Sequence, residues 1–283
     1  LKVSPPFYWL GGPKMTRIAL AVEYDGSAFH GWQTQQPGVR TVQEEVEKGL
    51  SRVADHPVTL ICAGRTDAGV HATGQVCHFD SDADRDMKAW VMGGNRFIPD
   101  DVAIRWAVPV EDDFHARFSA HRRCYRYVIY NHPRPPALFR RQVTWNHRPL
   151  DVDAMARASQ HLVGTHDFTS YRSVHCQAKS PVKTLTRFQI HRRGPLIVLE
   201  VEANAFLMHM VRNMAGVLMS IGAGHRDPDW ARQVLEARDR TQGGVTAPPY
   251  GLYLVEIGYP EAFPLPDHPR GPLWLADLDG GHN

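Results

Sequence analysis

The sequence predicts an α+β protein whose helices pack against a mainly antiparallel sheet. Short stretches in which apolar and polar residues alternate indicate strands, and stretches with apolar residues at helical spacing lie between them. A hydrophobic fraction of 43% and a charged fraction of 22% are ordinary for a globular protein. The longest apolar stretch, residues 208–221, is interrupted by polar side chains and is too short to cross a bilayer, so we expect no membrane span.

The first half of the chain predicts the order strand, helix, strand, strand, helix, strand. The capping box Thr41–Glu44 starts the first helix, whose apolar residues recur at helical spacing. The second helix is expected from Asp84 to about Met92. The four strands are predicted at residues 16–24, 58–62, 75–79 and 102–108. This order is the split βαβ, or ferredoxin-like, unit.

The second half repeats this order less regularly. Strands are predicted at residues 124–130, 185–191, 197–203 and 252–257. Helices are expected from Asp151 to near Gly164, from His209 to about Ile221, and from Asp227 onward. The helix that begins at His209 is apolar on nearly all sides, which predicts that it is buried. We therefore expect two ferredoxin-like halves that share one continuous, mainly antiparallel sheet with helices packed on it.

The expected division has three parts. Residues 1–14 are an N-terminal extension that we expect to be disordered, and they lack the apolar core of a secretory signal. Residues 15–113 form the N-terminal half, and residues 114–283 form the C-terminal half with a basic surface and a tail. The four cysteines form no C-x-x-C pair, so we expect reduced thiols in a cytoplasmic protein and no metal site.

The segment Cys62–Ala72 contains the residue that we interpret as the reactive group, Asp67. It follows an apolar strand and precedes a second strand, so the sheet holds this loop at both ends. Gly64 and Gly69 permit a sharp turn or a close approach to a ligand. On the local pattern alone, the alternative that Asp67 is an ordinary turn or capping residue is favoured. A phosphate-binding loop is excluded, because Val70 and His71 occupy the positions of its Lys and Ser or Thr.

The charge distribution is strongly uneven. Residues 114–199 contain fifteen Lys and Arg but three acids, although the whole chain has a net charge of +2. Residues 114–150 contain eight arginines, no lysine and no acid, with aromatic residues among them. Arginine binds phosphate and stacks on bases, and aromatic rings stack on unpaired bases, so this region favours RNA binding. The alternative is a solvated charged surface.

Arg212 lies within the helix that the sequence predicts to be buried. A buried guanidinium needs a carboxylate or phosphate partner to offset its lost hydration. A structural ion pair is the default interpretation. If the partner is Asp67, the pair favours the ionised form of that carboxylate at neutral pH.

Several motifs together resemble the TruA family of bacterial tRNA pseudouridine synthases. The motifs occur in order along the chain, from about Thr16 to Ala276, and leave residues 1–14 outside. They are Glu23–Gly26, Gly31–Gln33, Gly64–His71, Asp113–Ser119, Arg122–Tyr127, His209–Asn213, Gly251–Leu254 and Gly271–Ala276. The resemblance implies the pseudouridine synthase fold and a homodimer without cofactor or metal. It also implies isomerisation of uridines 38, 39 and 40 in the tRNA anticodon arm.

The resemblance also implies a role for individual residues. Asp67 falls on the family's nucleophile, and Arg65 falls on the residue that helps displace the target base. Tyr125 corresponds to the tyrosine that stacks on the uracil, and Arg212 corresponds to the ion-pair partner of the aspartate. Further substrate contacts are expected from matching motif positions, namely Leu252, Arg122, Arg123 and Arg126. Cys124 departs from the pattern, because arginine often stands there, and this reduces the local charge.

Two other hypotheses remain open from the sequence. The chain is alternatively a non-catalytic RNA-binding module of ferredoxin-like fold, in which Asp67 is only a turn residue. It is also possible for the same chemistry to act on another RNA, because the loop specifies a reaction and not the uridine that is chosen. Detection of new pseudouridine in treated tRNA distinguishes the enzyme from the binding module.

Overall fold

A computed structural model of the chain describes residues 15–267 and 269–275. The predicted extension, residues 1–14, and the end of the tail lie outside the described residues. The elements of the first half are β1 (Thr16–Tyr24), α1 (Val42–Ala54), β2 (Ile61–Cys62), β3 (His71–Ser81), α2 (Met87–Phe97) and β4 (Val102–Val110). Those of the second half are β5 (Arg122–Asn131), β6 (Thr144–Asn146), α3 (Val152–Gln160), β7 (Gly164–Asp167), β8 (Val182–Arg193), β9 (Leu196–Ala203), α4 (Met210–Gly222), α5 (Trp230–Ala237) and β10 (Leu252–Gly258).

Within the described residues, ten strands form one sheet in the order β4-β1-β3-β10-β5-β9-β8-β7, with β2 beside β3 and β6 beside β5. Each half places its first strand beside its last strand: β1 lies between β4 and β3, and β5 lies between β10 and β9. The strand pairs are antiparallel except β3 with β10 and β5 with β6. The predicted fold class, a continuous and mainly antiparallel sheet built from two ferredoxin-like units, is confirmed.

The parallel pairing of β3 with β10 joins the two halves. His71 is opposite Tyr253, and Ala72 is opposite Leu254. Because β3 begins at His71, this joint lies directly after the loop that carries Asp67. The sheet therefore connects the loop of the first half to strands of the second.

The two faces of the sheet differ in how they are covered. Buried side chains of all five labelled helices belong to one large apolar cluster, which includes Tyr125, Tyr127 and Leu254 from the sheet. A smaller cluster on the opposite side contains Cys124 and Val128 of the same strand β5. Alternate residues of β5 thus face different environments, as strand geometry requires. No helix of the described part of the chain is long and apolar enough to cross a membrane.

The strand expected at residues 58–62 is wrong in its first three residues. Only Ile61 and Cys62 pair with β3. The amide of Val58 instead donates to Ser51 Oγ at 2.9 Å, and the amide of Leu60 donates to a carboxylate oxygen of Glu47 at 2.8 Å. Side chains of α1 therefore satisfy a backbone that a neighbouring strand would otherwise pair.

The capping box at Thr41 is also wrong in its mechanism. Thr41 is at the N-cap position, but its hydroxyl makes no capping hydrogen bond and is buried without a partner. The amides of Val42 and Gln43 donate instead to the carbonyls of Gly31 and Trp32, at 3.2 and 3.0 Å. The turn at Gly31 therefore caps α1.

Other differences concern the ends of elements. Helix α2 begins at Met87 rather than at Asp84, and α5 begins at Trp230, with Asp227 accepting a hydrogen bond from the Trp230 amide at 3.1 Å. The predicted cap at Asp151 is confirmed, because its carboxylate accepts from the Ala154 amide at 2.9 Å. Strands β6 and β7 were not predicted, since three or four residues are too few for a recognisable alternation.

Candidate active site

Asp67 lies in the loop between β2 and β3, and this loop is held from three sides. The hydroxyls of Tyr24 and Thr66 are 2.8 Å apart, and the Trp32 amide donates to the Thr66 carbonyl at 3.0 Å. The side-chain amide of Gln75 donates to the Gly64 carbonyl at 2.5 Å. The Gly69 amide after Asp67 donates to the Phe29 carbonyl at 3.2 Å, so the backbone is held on both sides of Asp67 and its carboxylate has a rigid support.

Two glycines allow this close packing. A Cβ on Gly31, whose φ is +92°, would be 2.7 Å from the Thr66 carbonyl oxygen, and one on Gly69 would be 2.9 Å from the Pro249 ring. Gly64 differs, because a Cβ there would meet Leu254 and the Tyr125 hydroxyl only at 3.9 Å. Gly31 and Gly69 thus serve close packing, whereas at Gly64 a Cβ would make only ordinary van der Waals contact with Leu254 and Tyr125.

Arg212 reaches Asp67 from α4, across the joint between the halves. Its Nη1 is 3.4 Å from Asp67 Oδ2, and its Nε donates to the Ala247 carbonyl at 2.9 Å. Both side chains are partly accessible, with exposed fractions of 14% for Arg212 and 27% for Asp67. The arginine that the sequence singled out is thus only partly buried, but it lies beside the carboxylate, and a positive charge there stabilises negative charge on it.

His209 is a second partner that the sequence analysis missed. Its Nε2 lies 3.5 Å from Asp67 Oδ2. Burial and the nearby Arg212 charge lower the pKa of His209, while the Asp67 carboxylate acts in the opposite direction. The spacing His209-x-x-Arg212 at the start of a helix was the available signal, since residues three apart lie on one side of a helix.

Tyr125 lies on β5 and faces the same space. Its ring packs edge-on against Phe206 with centroids 4.9 Å apart, and 8% of the residue is exposed. Burial raises the pKa of Tyr125, and the Asp67 charge raises it further, so the phenol is neutral at physiological pH. The ring therefore offers an apolar, uncharged edge beside Asp67.

The remaining residues expected at the site differ in placement. Leu252 on β10 is 5% exposed and lies opposite Tyr127, so it belongs to the apolar wall. Arg65 is exposed, and none of the described carboxylates pairs with it. Arg65 is thus the one predicted site arginine whose side chain extends into solvent next to Asp67.

The three arginines of β5 were predicted to contact the substrate, but none of them extends freely into the site. Arg126 is 1% exposed and pairs with Glu200 at 2.7 Å, and Arg122 pairs with Glu202 and Glu256. Both belong to the alternate set of β5 residues that faces away from Tyr125. The structure therefore does not bring Arg122 or Arg126 to Asp67.

Arg123 shares the face of Tyr125 but uses its donors within the protein. It donates to four backbone carbonyls, those of Ala63, Arg117, Ala120 and Asn204, at 2.9 to 3.2 Å. Burial lowers its pKa. Arg123 therefore holds the backbone just before the Asp67 loop.

The exposed arginines of the basic region lie elsewhere. They are Arg117, Arg134, Arg140, Arg141 and Arg148. A cleft of about 430 Å³ is lined by Arg140, Trp145 and Tyr250, among others. Arg141 stacks on Tyr250 at 6.0 Å, and Tyr250 lies 3.6 Å from where a Gly69 Cβ would be. The exposed basic and aromatic surface is therefore continuous with the Asp67 loop.

No group of three or more metal-ligating side chains occurs among residues 15–267 and 269–275. The chemistry of the site thus centres on one carboxylate with two nitrogen partners on Oδ2 and an aromatic ring beside it.

Two ferredoxin-like halves that share a sheet, with an aspartate near their joint, define the pseudouridine synthase class that the sequence motifs resemble. A family model described as tRNA pseudouridine synthase matches residues 20–119 and 158–260. The chain belongs to the tRNA pseudouridine synthase family. Members of this family are isomerases that convert uridines of tRNA.

Curated relatives agree over nearly their whole length. A protein of Alcanivorax borkumensis named tRNA pseudouridine synthase A is 71% identical over 93% of this chain and 98% of its own. Proteins with the same name from Pseudomonas aeruginosa and Coxiella burnetii are 59% and 56% identical. These cover 93% and 92% of this chain, and 93% and 100% of the relatives.

Proposed function

We propose that this chain isomerises uridine to pseudouridine at positions 38, 39 and 40 of the tRNA anticodon arm, with Asp67 as the nucleophile. The observation that carries the proposal is the placement of the Asp67 carboxylate. It lies on a rigid loop, 3.4 Å from the Arg212 guanidinium, on the side of the sheet that presents Tyr125. The family and the names of the relatives support tRNA as the substrate.

The reaction is a rearrangement that the protein's own side chains can carry out. The bond from C1′ to N1 breaks, the uracil rotates, a bond from C1′ to C5 forms, the C5 proton is lost and N1 gains a proton. Nothing is oxidised or reduced overall, so the stoichiometry requires no cofactor. An ionised carboxylate can attack or abstract a proton and then leave, which makes it suitable for covalent catalysis.

The target base must leave the stack before it can react. Extrusion costs a few kcal/mol, which contacts with the flipped base and the phosphates offset. Arg65 is exposed beside Asp67, and the Tyr125 hydroxyl lies 3.9 Å from where a Gly64 Cβ would be. We assign to Arg65 the displacement of the base and to Tyr125 its stacking in the site, with Leu252 in the apolar wall.

We propose the exposed basic surface as the part that holds the tRNA backbone. Its arginines carry charges that are open to solvent, and Trp145 and Tyr250 offer rings to unpaired bases. His71 links this surface to the loop, because its Nε2 is 2.8 Å from the Arg141 carbonyl. An RNA that lies on Arg141 thus reaches the Asp67 loop through adjacent residues.

We further propose a homodimer that acts in the cytoplasm. Leu138 and Leu273 are 79% and 70% exposed, and their chain neighbours Phe139 and Trp274 pack together with ring centroids 5.4 Å apart. This apolar patch suits a second copy. All four cysteines are free, as is usual in a reducing compartment. Light scattering of wild type and Leu273→Asp tests the dimer, and a wild-type monomer would contradict it.

The decisive experiment compares wild type with Asp67→Asn. We expect wild type to release tritium from 5-tritiated uridine in tRNA, and the variant to release none while it binds tRNA within a few-fold as tightly. The matched control is Asp84→Asn, an exposed aspartate between β3 and α2, which should retain full activity. Full activity in Asp67→Asn would refute Asp67 as nucleophile.

Chemical mapping of pseudouridine in the same tRNA tests the substrate. New pseudouridine at 38, 39 and 40 supports the proposal in full. Pseudouridine at another position, or only in another RNA, would support the isomerisation but contradict uridines 38, 39 and 40 as its targets. Binding by wild type without any pseudouridine would favour a non-catalytic RNA-binding module.

A further inference from the structure

Both partners of Asp67 contact the same carboxylate oxygen. Arg212 Nη1 lies 3.4 Å and His209 Nε2 lies 3.5 Å from Oδ2. Among the described residues, no donor contacts Oδ1. One oxygen of the carboxylate is therefore held from two sides, and the other is open.

The backbone at His209 is unusual for a residue with a side chain. Its φ of +62° and ψ of 5° are left-handed, a conformation that glycine adopts without steric cost. The carbonyl of His209 accepts the first hydrogen bond of α4, from Asn213 at 2.9 Å, but its side chain caps nothing. A strained position that holds a side chain directed at a catalytic group points to a functional use for that side chain.

We propose that His209 is a positioning residue that, together with Arg212, holds Oδ2 of Asp67 and leaves Oδ1 to face the target nucleotide. This inference rests on the proposed function, because it assigns an orientation to the carboxylate that carries the reaction. His209 acts through Asp67 and makes no direct contact with the reacting atoms.

The charges around His209 determine the protonation state of its ring. The groups that face it are Asp67 from the loop, Arg212 on its own helix, Arg240, and His175. Burial and the cationic neighbours lower its pKa from the ordinary 6.5, against the effect of Asp67. The ring is therefore neutral near pH 7, and its Nε2 contacts Oδ2 at 3.5 Å. Protonation at lower pH adds a full charge beside the carboxylate and weakens its nucleophilicity.

The test uses His209→Gly and His209→Gln in the full-length protein. The Gly variant removes the ring and also relieves the left-handed backbone, so a loss of activity cannot be attributed to strain. The Gln variant keeps a donor amide of similar reach that does not titrate. His161→Gln is the matched control, because that histidine pairs with Asp229 at 3.1 Å and does not contact Asp67. Single-turnover rate, tRNA Kd and Tm are measured for each.

We expect His209→Gly to lower the single-turnover rate about 10- to 100-fold, the scale of a misplaced catalytic group, with tRNA Kd within a few-fold of wild type. Its Tm should equal or exceed that of wild type. His209→Gln should recover part of the rate. The wild-type rate should show an acid-side inflection below pH 6.5, and His209→Gln should lack it. His161→Gln should match wild type in rate and pH profile.

The contrary outcomes are distinct from failure of the proposed function. If His209→Gly retains the wild-type rate, or loses rate only as its Tm falls, His209 has no positioning role. If the acid-side inflection persists in His209→Gln, another group causes it and the inference is wrong. If wild type itself forms no pseudouridine, the proposed function fails before any variant is compared.

Discussion

Gly74 of β3 and Val255 of β10 pack so closely that a Cβ on Gly74 would lie 2.3 Å from the Val255 carbonyl oxygen. The contact falls just beyond the two residue pairs that join β3 to β10. Asp67 belongs to the half on one side of this joint, and Arg212 and Tyr125 belong to the half on the other. Close packing of the two backbones at Gly74 therefore helps to fix how the half with Asp67 lies against the half with Arg212 and Tyr125.

We predict that Gly74→Ala destabilises the protein by about 2 kcal/mol, because the strands must separate to accommodate the methyl group. Activity at a temperature where the variant is folded should fall as well. Gly244→Ala is the control, since its Cβ would make only contacts of 3.5 Å, and it should change stability by less than about 0.5 kcal/mol. Urea unfolding and initial rates measure both effects. Wild-type stability in Gly74→Ala would show that the joint is not tightly packed.

Tyr125→Phe should retain tRNA binding and keep the rate within about tenfold of wild type, because the ring remains and the described residues give its hydroxyl no hydrogen bond. Tyr125→Leu should lose much more, since base stacking is worth about 1–3 kcal/mol. Single-turnover rates of the two variants make the comparison. A complete loss in Tyr125→Phe would mean that the hydroxyl takes part in the reaction.

Arg141→Gln should weaken tRNA binding several-fold and lower the slope of log Kd against log salt by about one, as expected for one lost phosphate contact. The control is Arg52→Gln on α1, an exposed arginine that stacks on Phe97 away from the basic region. It should leave the slope unchanged. Binding titrations at salt concentrations between about 50 and about 200 mM give the Kd values for this slope. Equal slopes for Arg141→Gln and wild type would remove Arg141 from the tRNA surface.

Arg126→Met should cost about 1–3 kcal/mol of stability, because Glu200 loses its buried partner at 2.7 Å and the Gly271 carbonyl loses a donor. Glu200 keeps Arg187 at 2.6 Å and Arg270 at 3.4 Å, so its charge is not left unpaired. Since Arg126 faces away from Asp67, the tRNA Kd of the folded variant should equal that of wild type. Thermal melts measure the loss of stability, and binding titrations measure the tRNA Kd, so a structural role of Arg126 is distinguished from a role in substrate binding. A weakened Kd with normal stability would support the original expectation that Arg126 binds the substrate.

The stability of the protein should fall between pH 6.5 and pH 4 because of His78. Burial, and then the charges of His115 and Arg17, lower its pKa from 6.5 to about 4. In this window the unfolded chain binds a proton that the folded protein does not, so stability decreases as pH falls, by on the order of 2 kcal/mol. Protonation also removes the acceptor that the Ala116 amide uses at 3.1 Å.

His78→Asn isolates this effect, because its side-chain oxygen can accept from Ala116 without titrating. Unfolding free energies at pH 7 and pH 4.5 should differ less for this variant than for wild type. An identical difference in both proteins would assign the acid sensitivity to another group.

The sequence predicts the fold well where patterns are local. Alternation in β5 and the apolar surface of α4 identify both elements, and the motifs around Asp67 identify the family. The alternation of β5 also contained the information that Arg122 and Arg126 face away from Tyr125, but the substrate contacts were assigned from motif positions without regard to it. The contact of Asp67 with His209 was missed although the spacing to Arg212 offered a signal, because the left-handed backbone that directs the histidine is not visible in the sequence.

Arg123 has a consequence for the electrostatic potential of the site. Its guanidinium is satisfied by four carbonyls, and no carboxylate of the described residues neutralises it. A half-buried cation without a counterion projects part of its field through the protein, where screening by salt is weaker than in water. Arg123 can thus attract a polyanion toward Asp67 without touching it, and this attraction should persist at salt concentrations that abolish the contacts of exposed arginines.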